Sequence, residues 1–250
     1  MLFVALSLGC GRGQQLGDEV DLSDGALPVL RVPRAPSPPT IDGKLEEPVW
    51  RAAARTAPFV QPRSGKPARG SAVPAALRVA YDDTHLFVAV EVLDAQATSP
   101  FRPDEEDPQL WSRASAVELM IAPGPFDDNR DYFELQIDVR GAVWDTRFDD
   151  YNTPITSLPD GGKRFGHQDW RSGVERATTK DARGYVVELA LPFASLRTRR
   201  VASAPKPGDI WRMNAYSFRD GQRDSLAWSP TLGQGNFHKA SRFGKLHFER

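Results

Sequence analysis

The chain is 250 residues long, 40% hydrophobic and 26% charged, enough to bury a full core, and a length of about 200 to 250 residues is common for a single all-β domain. Its 32 basic and 33 acidic side chains leave a net charge of −1, so no strong field draws it to phosphate backbones or anionic lipid, and nucleic acid is not an expected partner. Twenty-one prolines and twenty glycines argue for many turns and against long helices.

Residues 1–8 are almost purely apolar and lead through Gly9 to Cys10, the only cysteine. This reads as the end of a bacterial lipoprotein signal, in which the cysteine is lipidated and the preceding segment removed, although Ser7 stands where that pattern has leucine. The alternatives are a secretory signal without lipid, or a tail with an incidental cysteine. One cysteine allows no intramolecular disulfide, and the apolar run falls far short of the ~20 residues that span a bilayer. Residues 11–37 turn polar and then proline-rich, with Pro28, Pro33 and Pro36, the composition of a semi-rigid spacer.

From residue 38 the chain reads as strands and turns. Residues 77–81 and 86–93 are β-branched and apolar runs separated by Asp82-Asp83-Thr84-His85, which predicts a hairpin. Residues 117–121 predict a strand with Val117, Leu119 and Ile121 on one face and Glu118 and Met120 on the other. Residues 132–140 alternate more cleanly, with Phe133, Leu135, Ile137 and Val139 opposite a polar ladder that includes Glu134, Gln136 and Asp138. Further strands are expected over 143–148, 185–191, 210–219 and 245–248, with short helical turns near 46–54 and after Pro192. Such spacing favours an antiparallel β-sandwich over a parallel α/β fold.

Five runs carry a more specific signal: Ile41-Asp42-Gly43 with Trp50, Tyr81-Asp82-Asp83-Thr84-His85-Leu86, Gly184-Tyr185-Val186-Val187-Glu188 with Pro192-Phe193, Trp211-Arg212-Met213-Asn214, and Phe243-Gly244-Lys245-Leu246. In this order and at these separations they resemble the family 9 carbohydrate-binding modules and related jelly-roll domains, over roughly residues 38–249. The resemblance implies non-catalytic binding of a mono- or oligosaccharide, with a chain end as the recognised element. It also implies a glycan-degrading enzyme as partner, while the N-terminal segment points to a cell-envelope (outer-membrane or periplasmic) or secreted location, with membrane contact only through its lipid.

Flat aromatic rings pair with the apolar face of a pyranose, and six tryptophans are available. Trp50 and Trp211 sit inside apolar patterns and are expected in the core, while Trp144 and Trp170 fit either role. In the family two tryptophans sandwich a terminal sugar, and the resemblance assigns this to Trp111 and Trp228; the alternative is a pair of loops pinned by buried rings. Carboxylates, amides and guanidinium groups would then fix the hydroxyls. The candidates are Glu118, seven residues after Trp111 as in the family, Gln136, Arg147 and Asn214. A surface ladder of paired charges would explain Gln136 and Arg147 without a ligand. Glu188, flanked by Val186 and Ala190, reads as a buried structural carboxylate.

A hydrolytic carboxylate pair is not marked: Glu134 and Asp138 would be about 13 Å apart along one strand, and only a cross-strand pair such as Asp138 with Asp145 would be closer. The histidines lack metal-ligand spacing. Calcium is the one ion the oxygen-rich runs 127–131 and 149–152 would suit; no other cofactor is expected. Two rival readings stand beside sugar binding. One is a haem-binding electron-transfer domain, with Met120 or Met213 as axial ligand; the other is a structural envelope lipoprotein without ligand.

Overall fold

The computed structural model describes residues 16–70, 72–157 and 162–250; Cys10 and the apolar run before it lie outside the described residues. In chain order the strands are β1 (Val29–Val32), β2 (Ala54–Arg55), β3 (Ala75–Tyr81), β4 (His85–Val92), β5 (Ala116–Ala122), β6 (Arg130–Asp138) and β7 (Val143–Asp150). They continue with β8 (Thr156–Ser157), β9 (Lys163–Arg164), β10 (Glu175–Lys180), β11 (Tyr185–Pro192), β12 (Ile210–Arg219), β13 (Arg223–Ala227) and β14 (Gly244–Phe248). Among the described residues helix is confined to α1 (Pro48–Ala52), α2 (Leu110–Arg113) and two 3₁₀ turns.

Alternating side chains on these strands close two sheets over one core. The larger sheet runs β1-β14-β12-β5-β6-β7, with β13 also on β12; the smaller runs β10-β11-β4-β3-β2. Val117, Leu119 and Ile121 of β5, Phe133, Leu135 and Ile137 of β6 and Trp211 and Met213 of β12 meet Leu77, Val79, Val88, Val90, Val187 and Leu189 of the smaller sheet. The chain is therefore an all-β sandwich, as the alternation predicts. Each strand expected from sequence is present, and the turns near 46–54 and after Pro192 appear as α1 and a 3₁₀ turn at Phe193–Leu196.

The proline-rich segment is a correction. Within the stretch read as a semi-rigid spacer, of which residues 16–37 are described, Val29–Val32 forms an edge strand that pairs parallel with β14, from Val29 opposite Lys245 to Val32 opposite Phe248. Leu30 and Val32 are buried while Val29 and Arg31 face out, so four residues between Pro28 and Pro33 carry the strand period. The flanking prolines contribute acceptors without needing donors: Pro28 O accepts from Lys245 N, and Pro33 O from Tyr81 N.

A buried carboxylate ties the N-terminal segment to the smaller sheet. Glu188 of β11 accepts the N–H groups of Asp42 (2.9 Å) and Gly43 (2.7 Å) on one oxygen and Trp50 Nε1–H (2.8 Å) on the other. The widely separated Ile41-Asp42-Gly43, Trp50 and Glu188 are thus parts of one contact, packed with Val49, Phe87, Ala89 and Ala190. Burial pushes the Glu188 pKa up against three donors that pull it down.

Candidate functional site

The outer face of the larger sheet is the reverse of the core pattern. The pairing register sets Glu118 beside Gln136 and Gln136 beside Trp144, with Glu134 beside Thr146 one pair along. This polar ladder is buried rather than solvent-facing: Trp111 of α2, residues 163–168 from β9 onward and residues 231–238 surround it. Between them lies a cavity of about 520 Å³, within the ~300–1,000 Å³ of small-ligand sites.

The floor carries two carboxylates on one amide. Gln136 Nε2 donates to Glu118 Oε2 (2.9 Å) and to Glu134 Oε1 (2.7 Å). Burial, and for Glu118 also repulsion from Glu134, raises both acids above the usual carboxylate range, Glu134 to about 8. With both amide hydrogens engaged, Gln136 Oε1 is left without a partner among the described residues, as are Glu118 Oε1 and Thr146 Oγ1. Buried polar atoms are normally satisfied, and three open ones on a single cavity floor mark where a ligand's hydroxyls would bind.

Aromatic rings form the walls. Trp111 of α2 meets Trp144 edge to face at 4.8 Å, held from behind by Phe101 and Leu110. Opposite, Phe237 stacks on Tyr216 at 3.8 Å and His238 on Tyr151 at 4.0 Å, with Phe165 and Phe148 alongside. His238 Nδ1 lies 2.9 Å from the Tyr132 hydroxyl, and burial lowers its pKa to about 4. Its Nε2 is 3.8 Å from Glu134 Oε2, beyond hydrogen-bonding reach, and both groups are neutral near pH 7.

Of the residues singled out from sequence, Trp111, Glu118 and Gln136 come together here. The other three do not. Trp228 follows β13 with its side chain turned into the inter-sheet core, 5% exposed, its ring pressed on Gly244. Arg147 pairs with Phe133 across β6 and β7, on the opposite face from Thr146 and Phe148, where it meets Asp149 at 3.2 Å. Asn214 is fully buried and satisfied: it donates to Tyr216 Oη (2.7 Å) and Ser229 O (2.8 Å) and accepts from Ala215 N and Ser229 N (both 2.9 Å). Trp50 and Trp211 lie in the core, Trp170 packs on Phe133, and Trp144, open to either role, lines the cavity.

Sequence reading did not propose Glu134, Thr146, Phe237 or His238 as sugar-binding residues. The first two were accessible through the outward alternation of β6 and β7; the last two sit in turn-like sequence with no periodic signal.

The remaining expectations resolve by geometry. Asp138 caps its own turn through Arg140 N and Ala142 N and bonds Ser99, while Asp145 faces the core and accepts Ser172 N, so they form no pair. The acidic run 127–131 is engaged by Arg212 and Arg200, and the run 149–152 by Arg147, His167 and Arg130. Among the described residues no group of three or more His, Cys, Asp or Glu side chains is placed to hold a metal. Met120 and Met213 project from opposite faces of the larger sheet and do not share a pocket.

Residues 41–250 match the model of the carbohydrate family 9 binding domain-like family. The chain belongs to that family. Among solved structures, a Bacteroides uniformis protein described as carbohydrate-binding superposes with a TM-score of 0.64 at 16% identity, covering 90% of this chain and 100% of that one. A family 9 module from Caldicellulosiruptor kristjanssonii in complex with cellotriose matches with a TM-score of 0.56 at 16% identity, covering 88% and 93%. A family 9 module from the same organism in complex with glucose gives 0.56 at 17%, covering 88% and 96%. At these identities the likeness speaks to the fold. No curated protein matches the chain.

Proposed function

We propose that this family 9 domain captures carbohydrate in the aromatic cavity of its larger sheet and releases it unchanged. The observation that carries the reading is the floor itself: Glu118 Oε1, Gln136 Oε1 and Thr146 Oγ1 stand open and buried beneath the Trp111–Trp144 wall. That pairing of hydrogen-bonding groups with a flat apolar wall suits a pyranose, whose hydroxyls need partners while its C–H face needs a ring. The glucose and cellotriose bound by the Caldicellulosiruptor module are the first ligands to try.

The acids support binding without chemistry. A retaining glycosidase needs one readily ionised carboxylate as nucleophile beside a protonated one, whereas burial disfavours the ionised form of both Glu118 and Glu134. We further propose that Cys10 is lipidated, that the domain works at the cell envelope, and that it concentrates glycan for a degrading enzyme. Loss of membrane partitioning in Cys10→Ser is the result expected for the anchor.

The decisive experiment is a titration of the full chain with mono- and oligosaccharides, followed by tryptophan fluorescence. Trp111→Ala should weaken binding by about tenfold or more, since a ring pair adds roughly 0.5–1.5 kcal/mol beyond its buried area. Glu118→Gln should also weaken it, with the fold intact by circular dichroism. Saturable binding that survives in Trp111→Ala would move the site elsewhere; no binding of any sugar would leave a structural envelope protein.

A further inference from the structure

The mouth of the cavity has a sign. Its exposed charged side chains are Arg63, in the loop between β2 and β3, and Lys163 and Arg164, which form β9. Two separate segments therefore place three cationic residues along the lining of one cavity. Among the described residues the carboxylates in the lining are Glu118 and Glu134, both at the buried floor.

These cations are also unmatched. Elsewhere arginines meet acids: Arg200 bonds Asp128 and Asp131, Arg219 bonds Asp94, and Arg78 bonds Glu91. Among the described residues, Arg63, Lys163 and Arg164 carry no ion pair. On a chain of net charge −1 this is a local arrangement rather than a general excess.

We propose that the glycan bound in this cavity is acidic, its end sugar seated on the floor and a carboxylate or sulfate group of the same chain held at the mouth by Arg63, Lys163 and Arg164. The inference rests on the carbohydrate reading of the cavity and adds the class of sugar. Guanidinium groups bind planar carboxylate or sulfate oxygens in a bidentate fork, and an ammonium adds a point charge. The floor opposes this little, because burial disfavours the charged form of both of its acids.

The test is calorimetric titration of the full chain with matched trisaccharides of gluco, galacto and manno configuration. Each is offered neutral, with a carboxylate at C6, and with a sulfate on O6. In at least one series the anionic form should bind roughly three- to tenfold more tightly than its neutral counterpart at low salt, and the advantage should shrink at about 0.5 M salt. The Arg63→Gln, Lys163→Gln, Arg164→Gln triple variant, unfolding at the parent temperature, should bring the anionic-to-neutral ratio to about one. Whether carboxylate or sulfate gains more tells which group the mouth selects. Equal or better binding of the neutral form in every series where binding occurs overturns the acidic-glycan inference and leaves the cavity a sugar site. A ratio unchanged in the triple variant overturns it too. Failure of every trisaccharide to bind overturns both.

Discussion

Glu118 and Glu134 hang on the two hydrogens of one buried amide, and that arrangement sets how the fold responds to pH. Glu134 binds its proton up to about pH 8 in the folded chain against 4.5 for the free side chain, so its stabilisation is complete below 4.5 and is lost as pH rises through 8. Glu118 is raised as well and acts with the same sign. His238 works the other way: folding lowers it from 6.5 to about 4, so its contribution is present above 6.5 and lost as pH falls towards 4. The acids alone therefore govern pH 6.5 to 8, where unfolding free energy should fall with rising pH. Denaturant titrations across that window should show the slope, and it should flatten in Glu134→Gln; a flat parent curve would mean the pair is already ionised at pH 6.5. At Glu188 the effect is structural. Glu188→Ala would strip three N–H donors of their acceptor and should cost about 3–5 kcal/mol in urea unfolding, with sugar binding by the remaining folded fraction unchanged.

At the scale of elements, legibility followed local periodicity. Strands β3 to β7, β11, β12 and β14 announce themselves by alternation, whereas β10, Glu-Arg-Ala-Thr-Thr-Lys, and β13, Arg-Asp-Ser-Leu-Ala, are polar segments that become strands only because a neighbour offers its ladder. The site divides the same way. Glu118 and Gln136 could be placed because each lies on a strand whose faces are unambiguous. Trp228 was misread because the residue that decides its direction is Gly244, where a Cβ would lie 2.7 Å from the indole. Asn214 and Arg147 have the chemistry of sugar ligands, but alternation sends Arg147 to the other face and the β13 exit occupies Asn214. The least visible element was β1, hidden among prolines. Deleting residues 1–33 would expose Leu246 and Phe248 and remove Leu30 and Val32 from the core; we expect a loss of about 3 kcal/mol or more, read as a lower denaturant midpoint. An unchanged midpoint would show that β1 adds nothing to the fold.

Over the whole molecule, the two sheets divide the labour. The smaller sheet and the N-terminal segment it holds through Glu188 form a closed support, while the larger sheet has both faces covered, one by the core and the other by the walls of the cavity. The binding loops thus stand on a doubly buried floor, which holds the open polar atoms in place before any ligand arrives.

The parallel pairing of β1 with β14 has a mechanical side. The chain enters β1 at Val29 and leaves β14 at Phe248, at opposite ends of the pair. A pull between the two termini therefore loads the ladder along the strands, so that its bonds must fail together rather than unzip one at a time. Stretched singly by its ends, the domain should hold to higher force than when gripped across the antiparallel β3–β4 hairpin, whose ladder would peel from one end. A protein fixed at one end and drawn on by whatever it carries would keep its binding face folded under tension.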